Sequence, residues 1–477
     1  MTTDSSLAPA DQAAADAAFG TRERMALFVL LTASFTLAVD FSILNVALPR
    51  IGSDVGFAIA DLQWISTAFA VCAAGFTLLF GRFADLFGRR RQFLVGIALL
   101  GVASLVGGLA QEPSLLLAAR VAQGIATAAV TPAALSLLTT SFPEGPMRER
   151  ALGLNGALMA AGFTTGAVLG GLLTDLISWR WAFFVNVIVA VAVLAVGPAV
   201  LKETRAQLRP PLDLPGAVTV TLALVAGVYG LTQAGQHSWG DVRSWGALLL
   251  AAVMVLAFIV IERTVSEPLV PLSVVLRRST GWGNLAGVIA FATETSVVFL
   301  LTLYLQEVRG YTPLQAGLAF AVLGAGTVLG GVIAPRVIGH LGGKRAIVAG
   351  LVAQGVSTVP LAFLGDASGW LVVLLVATFV GGVANLVVIV GFMVTATSGL
   401  PDAEQGLATG LATMSQQVGI TLGTPVMSAI ATAAGAATAG HILHGVTTAL
   451  AVNAAICFAT AVVIGLVLPR HRKAVAA

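Results

Sequence analysis

The sequence predicts an all-α integral membrane protein of fourteen transmembrane helices, arranged as two six-helix bundles joined by two inserted linker helices. Three observations carry that expectation. Hydrophobic residues fill 57% of the 477 positions and charged residues only 10%, with a mean hydropathy of +0.96, a balance outside the range of soluble domains. Apolar runs of about 20 residues, the length that crosses a bilayer, recur along the whole chain. Glycine-marked motifs then repeat at a nearly constant offset, as a duplicated unit would place them.

The first six spans are expected at 25–48, 61–81, 92–110, 114–140, 151–173 and 181–201. Two more follow at 213–234 and 245–262, and the last six at 281–306, 313–338, 345–364, 369–398, 406–434 and 446–468. The chain therefore divides into a disordered tail over 1–24, a bundle over 25–201, a linker with two extra spans over 202–280, a second bundle over 281–468 and a second tail over 469–477. The first tail, rich in Ala and Asp, lacks the basic start of a secretory signal, so the first apolar run is kept as a helix. With the N-terminus inside, Arg50, Arg180, Arg243 and Arg309 are the outer basic residues and Arg120 lies within a span. Every other Lys and Arg of the 25 falls on the inner side. That bias predicts a multi-pass protein of the cytoplasmic membrane with both termini cytoplasmic.

Gly88, Arg89 and Arg90 after the second span are matched by Gly343, Lys344 and Arg345 after the second span of the last six, and Gly166 and Gly170 by Gly419 and Gly423. The two offsets differ by only about two residues, which favours a parallel duplication.

Charges inside spans cost roughly 2.5–3.5 kcal/mol each at mid-membrane, so the three present carry most of the functional argument. Asp40 lies near the outer end of the first span and Arg120 enters the fourth from the same side. At 1.5 Å per residue their depths differ by about 5 Å, within reach of an Arg side chain. They are expected to face one another across a polar cavity and to couple proton uptake to transport; the competing reading is a structural ion pair. Glu294 has no Lys or Arg in its own span and is expected either to exchange a proton for a cationic substrate or to sit neutral against a backbone carbonyl. Gln123, Phe291, Glu294 and Asn385 are candidate lining residues of a substrate cavity.

Gly81 to Arg91 reads as an inner hinge between the second and third spans, with Gly81, Asp85, Gly88, Arg89 and Arg90 as a conformational latch between the halves. Gly162, Gly166 and Gly170, spaced by four, with Gly171 beside them, offer a bare helix face. Gly326, Gly330 and Gly331 offer another, and the two are expected to meet and rock. Cys72 and Cys457 lie within apolar helices as small core residues, and no metal-ligand spacing is present. The five histidines fall in loops, helix ends or a tail, and no nucleophile–base cluster or ATP-binding glycine loop occurs, so an enzyme is not expected. Nor is a nucleic-acid partner.

These motifs resemble the major facilitator superfamily, and the helix number is similar to its fourteen-helix drug:proton antiporter branch. Asp40 to Pro49 looks like the family's first-helix signature, Gly81 to Arg90 its loop motif, Arg120 to Gly124 its fourth-helix motif, and Trp179 to Asn186 its entry to the sixth helix. The resemblance implies the major facilitator fold and a monomer that exports hydrophobic small molecules, cations among them, by alternating access. It needs no cofactor beyond the proton gradient. Asp40 and Arg120 would serve proton transfer, and Asp85 with its Arg partners the latch. Two departures stand out. Ala167 follows Gly166 where the antiporter motif usually has proline, which leaves open a proton symporter for a small metabolite. His340 stands where the second copy of the loop motif would carry its acid.

Overall fold

In the computed structural model the described residues are 20–58, 61–142, 146–203, 213–237, 239–265, 268–270, 272–367, 369–397, 402–436 and 441–468. They form α1 (Thr21–Ile43), α2 (Leu48–Val55), α3 (Gln63–Phe87), α4 (Arg89–Leu109), α5 (Pro113–Ser141), α6 (Pro146–Leu176) and α7 (Trp181–Val200). A helix pair, α8 (Leu214–Gln236) and α9 (Val242–Thr264), is followed by the single turn α10 (Leu272–Val275). The last group is α11 (Arg278–Leu303), α12 (Pro313–Leu341), α13 (Gly343–Thr358), α14 (Trp370–Thr397), α15 (Asp402–Ala431) and α16 (Ile442–Val467). Among the described residues twelve helices are long and apolar enough to cross a membrane, against the fourteen expected. The two remaining long helices are α3, of 25 residues, and α6, of 31.

The first span was expected to run to residue 48, but α1 stops at Ile43. Residues 44–47 form a turn, in which Asn45 N donates to Ser42 O at 3.1 Å and Ala47 N to Leu44 O at 2.9 Å. Pro49 explains the break: it cannot donate to a continuing helix, yet is tolerated in the first turn of α2. At the other end α1 begins at Thr21, so residues 21–24 of the expected tail are helical, with Gly20 N donating to Glu23 Oε2 at 2.9 Å. Residues 1–19 and the tail 469–477 lie outside the described residues.

Helix pairings repeat between the first and last groups. α1 packs on α6 as α11 packs on α15, α3 on α5 as α12 on α14, and α4 on α7 as α13 on α16. The repeat extends to single residues. Gly166 and Gly170 lie against the backbone of Val39 and Ile43 on α1, and Gly419 and Gly423 against Val288 and Ala292 on α11. A Cβ on Gly166 would fall 2.7 Å from Val39 O, so only glycine permits this approach. The two groups touch through α6 with α12 and α3 with α15. α8 bridges the latter pair, and α9, its outward side chains such as Val242, Leu249 and Leu256 exposed, packs on α8.

The expectation that two glycine faces meet is corrected. Gly162, Gly166 and Gly170 face α1 of their own group, and Gly326 and Gly330 face Phe379 and Val383 on α14 of theirs. Where α6 and α12 do cross, Gly317 sits on Ala167 O, Gly171 on Pro313 O, and Gly324 on Thr164. Each stripe of small residues packs on a helix of its own group rather than across to the other. α6 runs as one helix through Ala167.

The core is asymmetric along the bundle. At the end carrying Trp179, one buried cluster joins both groups, with Ile43, Leu62 and Phe183 from the first and Phe299, Phe320 and Val446 from the second. At the end carrying Gly88 the cores are separate: Phe93, Phe142 and Leu201 belong to one, Ile347, Phe392 and Leu468 to the other. A further small cluster joins Leu269, Val270 and Val274 to Leu79 of the first group and Leu411 of the second. Polar clasps reinforce the closed end: Gln306 Nε2 donates to Val46 O at 2.6 Å across the groups, and Trp179 Nε1 to Asp54 Oδ2 at 3.0 Å.

Gly166→Leu and Gly419→Leu are each expected to lower stability in detergent by about 1–3 kcal/mol through overpacking. Gly246→Leu, where nothing lies within 4 Å, should leave it unchanged. Denaturant titration of the three purified variants checks this.

Candidate functional site

Asp40 and Arg120 form a direct ion pair, Nη1 to Oδ2 at 3.3 Å, with both side chains 1% exposed. The expected cavity between them is filled by protein. Gln123, one turn along α5 from Arg120, accepts from Arg120 Nη1 at 2.8 Å and donates through Nε2 to Asp40 Oδ1 at 3.3 Å and to Ser104 Oγ on α4 at 2.8 Å. Asn186 on α7 donates Nδ2 to Asp40 Oδ1. Arg120 Nε donates to Ile65 O of α3 at 2.9 Å, and the guanidinium stacks 4.3 Å over the Phe69 ring. Side chains and backbone from α1, α3, α4, α5 and α7 thus form one network around the ion pair, with the carboxylate itself met by Arg120, Gln123 and Asn186. Because each partner keeps the other's charge company in a dry interior, the pair is tolerable together and costly apart.

The second group carries a matching knot without charge. Gln354 on α13 donates Nε2 to Thr293 Oγ1 on α11 at 2.9 Å, and Asn385 on α14 donates Nδ2 to Ala290 O at 2.9 Å and to Gln354 Oε1 at 3.5 Å. Asn453 on α16 donates to Thr293 O at 3.1 Å and to Ser296 Oγ at 3.0 Å. In both groups the knot draws on the first, third, fourth and sixth helices.

Glu294, half-buried on α11, lies beside that neutral knot and lines an opening with Gln354, Ser357, Thr358, Thr378 and Asn385. The other proposed lining residues go elsewhere. Gln123 is fully buried in the ion-pair knot, and Phe291 packs edge-to-face on Phe392, with centroids 6.3 Å apart. Asn385 alone joins Glu294 as expected.

The Gly81 to Arg91 stretch turns at Gly88, whose φ of +110° favours glycine. The first amides of α4 are then capped by a residue the sequence reading did not single out. Arg90 N and Arg91 N donate to Glu203 Oε1 and Oε2 at 3.1 and 3.2 Å, and Arg90 Nη2 donates to Pro198 O at 2.8 Å. Lys344 repeats the clamp in the second group, its Nζ donating to Leu468 O at 2.5 Å after the turn at Gly342. Both clamps tie the third helix of a group to its own sixth. Gly81 faces Pro132 of α5, and His340 is exposed at the end of α12. Arg89 is engaged in an interaction of its own. The side chain of Asp85 lies outside the described residues.

The family model described as Major Facilitator Superfamily matches residues 30–424 and again 285–477. The chain belongs to the major facilitator superfamily. It is thus a multi-pass membrane transporter of small molecules. Among its relatives are the cephamycin export protein CmcT of Amycolatopsis lactamdurans, 37% identical over 87% of this chain and 86% of that one, and the puromycin resistance protein pur8 of Streptomyces alboniger, 35% identical over 94% and 92%. The lincomycin resistance protein of Streptomyces lincolnensis is 34% identical over 85% and 84%. The fold is similar to that of a point mutant of the nucleoside transporter NupG, with a TM-score of 0.65 at 11% identity over 93% of this chain and 100% of that one.

Within this superfamily member the sequence reading placed Asp40 and Arg120 together but missed Ser104, Phe69 and the role of Asn186. Asn186 alone left a signal, as the last residue of the Trp179 to Asn186 motif. Asp40→Ala or Arg120→Ala is expected to lower stability by about 3–5 kcal/mol, since each strands a buried charge. The double variant should lose much less than the sum, which a double-mutant cycle by denaturant titration reads directly.

Proposed function

We propose that the chain is a proton-coupled antiporter exporting hydrophobic small molecules of the antibiotic type across the cytoplasmic membrane. The observation that carries this reading is the dry Asp40–Arg120 pair, reached by five helices of one group: a carboxylate whose charge partner can let go only if the surrounding helices shift. Taking up a proton at Asp40 would loosen Arg120, Gln123 and Asn186 together, which links protonation to helix position. The direction of transport is supported by relatives named for export or resistance over most of both chains.

The reading includes fourteen spans. α3 and α6 occupy in the first group the places that α12 and α15, both among the twelve, occupy in the second. Lys and Arg placement puts both termini in the cytoplasm, so the Trp179 end faces outward. The merged core at that end then belongs to an outward-closed carrier, and export requires it to part while the Gly88 ends approach.

In proteoliposomes with a pH gradient as the sole driving force, the wild type should move a hydrophobic dye uphill, and reversing the gradient should reverse the direction. A symporter would respond with the opposite sign. Asp40→Asn and Arg120→Ala should abolish uphill movement; dye pumping by either variant at the wild-type rate would refute the coupling assignment.

A further inference from the structure

We propose that the opening beside Glu294 is a binding subsite for a protonated amine, distinct from the Asp40–Arg120 pair. The inference rests on the transport reading above only in naming the ligand as cargo. Among the described residues the Glu294 carboxylate has neither a hydrogen-bond donor nor a cation beside it. The polar groups around it have committed all their donors but one N–H of Gln354. Ser357 Oγ and Thr358 Oγ1 both donate to Gln354 O at 2.8 Å, and Thr378 Oγ1 to Leu374 O at 2.8 Å. Gln354 Nε2 is held by Thr293 and Asn385 Nδ2 by Ala290 and Gln354, which leaves Asn385 Oδ1 buried with no donor at all.

The wall is therefore dominated by acceptors: a carboxylate, an orphaned amide oxygen and the free lone pairs of three hydroxyls, against the one remaining N–H of Gln354. An orphaned buried acceptor and an unpaired carboxylate in one opening are both satisfied by a ligand that brings positive charge and N–H donors. An anion, or a neutral ligand with only acceptors, would leave the mismatch in place. Val297, Leu323 and Leu361 on the same lining supply apolar contact, so the fitting cargo is an ammonium on a hydrophobic body. The enclosed space, about 20 Å³, admits a single water-sized group such as an ammonium, so the hydrophobic body would lie in the mouth. The subsite is built on α11, α12, α13 and α14 of the second group, whereas the ion pair is built wholly from the first.

The test is binding of two probes to the full chain in detergent: a fluorescent arylalkylammonium and its N-acetyl analogue, which has the same body without the charge. The wild type should prefer the ammonium at least tenfold. Glu294→Gln should erase that preference while binding the acetylated probe within twofold of wild type, and Glu294→Asp should keep a preference. Unchanged ammonium binding by Glu294→Gln, or equal loss of both probes, overturns the proposal, the latter assigning Glu294 to coupling or stability. Should Glu294→Gln not yield monodisperse protein, Gly381→Val decides. It keeps the carboxylate but fills the opening, its Cβ falling 3.1 Å from Ser357 Oγ, so lost ammonium binding supports the subsite and retained binding overturns it. Asp40→Asn should leave the preference intact, so failure of export coupling and failure of this subsite are read separately.

Discussion

Nearly every helix of the first group is tied, directly or through one intervening side chain, to the carboxylate of Asp40. Arg120 and Gln123 reach it from α5 and Asn186 from α7, while Ser104 on α4 and Ile65 on α3 hold those partners in turn. In a dry interior such a network is strong only when complete, because the low dielectric that stabilises each contact also penalises any group left alone. The first group is thus held by an arrangement that loses most when any one member is removed. Glycine packing of α6 on α1 sets the frame within which it sits, since Gly166 and Gly170 bring that helix onto the turns flanking Asp40.

The two groups have the same helix pairings but divide the chemistry. Where the first buries an ion pair, the second buries amides and hydroxyls, with its carboxylate displaced to the edge of an opening. The repeated helix pairings supply a common scaffold, on which the first group carries a buried ion pair and the second a neutral knot beside a carboxylate. Clamps at Arg90 and Lys344 each join a third helix to its own sixth. The groups meet at the α6–α12 and α3–α15 contacts.

Much of this was legible in one dimension. Span limits follow apolar runs, and the Asp40–Arg120 meeting follows helical rise, because depth in a membrane is a count of residues. Facing was less legible. Spacing by four shows that Gly162, Gly166 and Gly170 share a side, but not that the side meets α1 rather than α12. Ser104 and Asn186 are ordinary polar residues until the fold brings them to a charge. Glu203 stood just beyond an apolar run, and its capping of α4 depends on two helix ends meeting, which no local pattern records. The break at 44–47 was signalled by Pro49 and overridden in the reading by the continuous apolar run.

The central claim is that Asp40 carries the exchanged proton. Its most direct test is a count of protons released when an uncharged substrate binds to purified protein in weakly buffered detergent solution, followed with a pH indicator. An uncharged ligand leaves the Glu294 subsite out of the reaction. The wild type should release protons on binding, and Asp40→Asn should bind with similar affinity and release none. Release from Asp40→Asn equal to that of wild type would contradict the account.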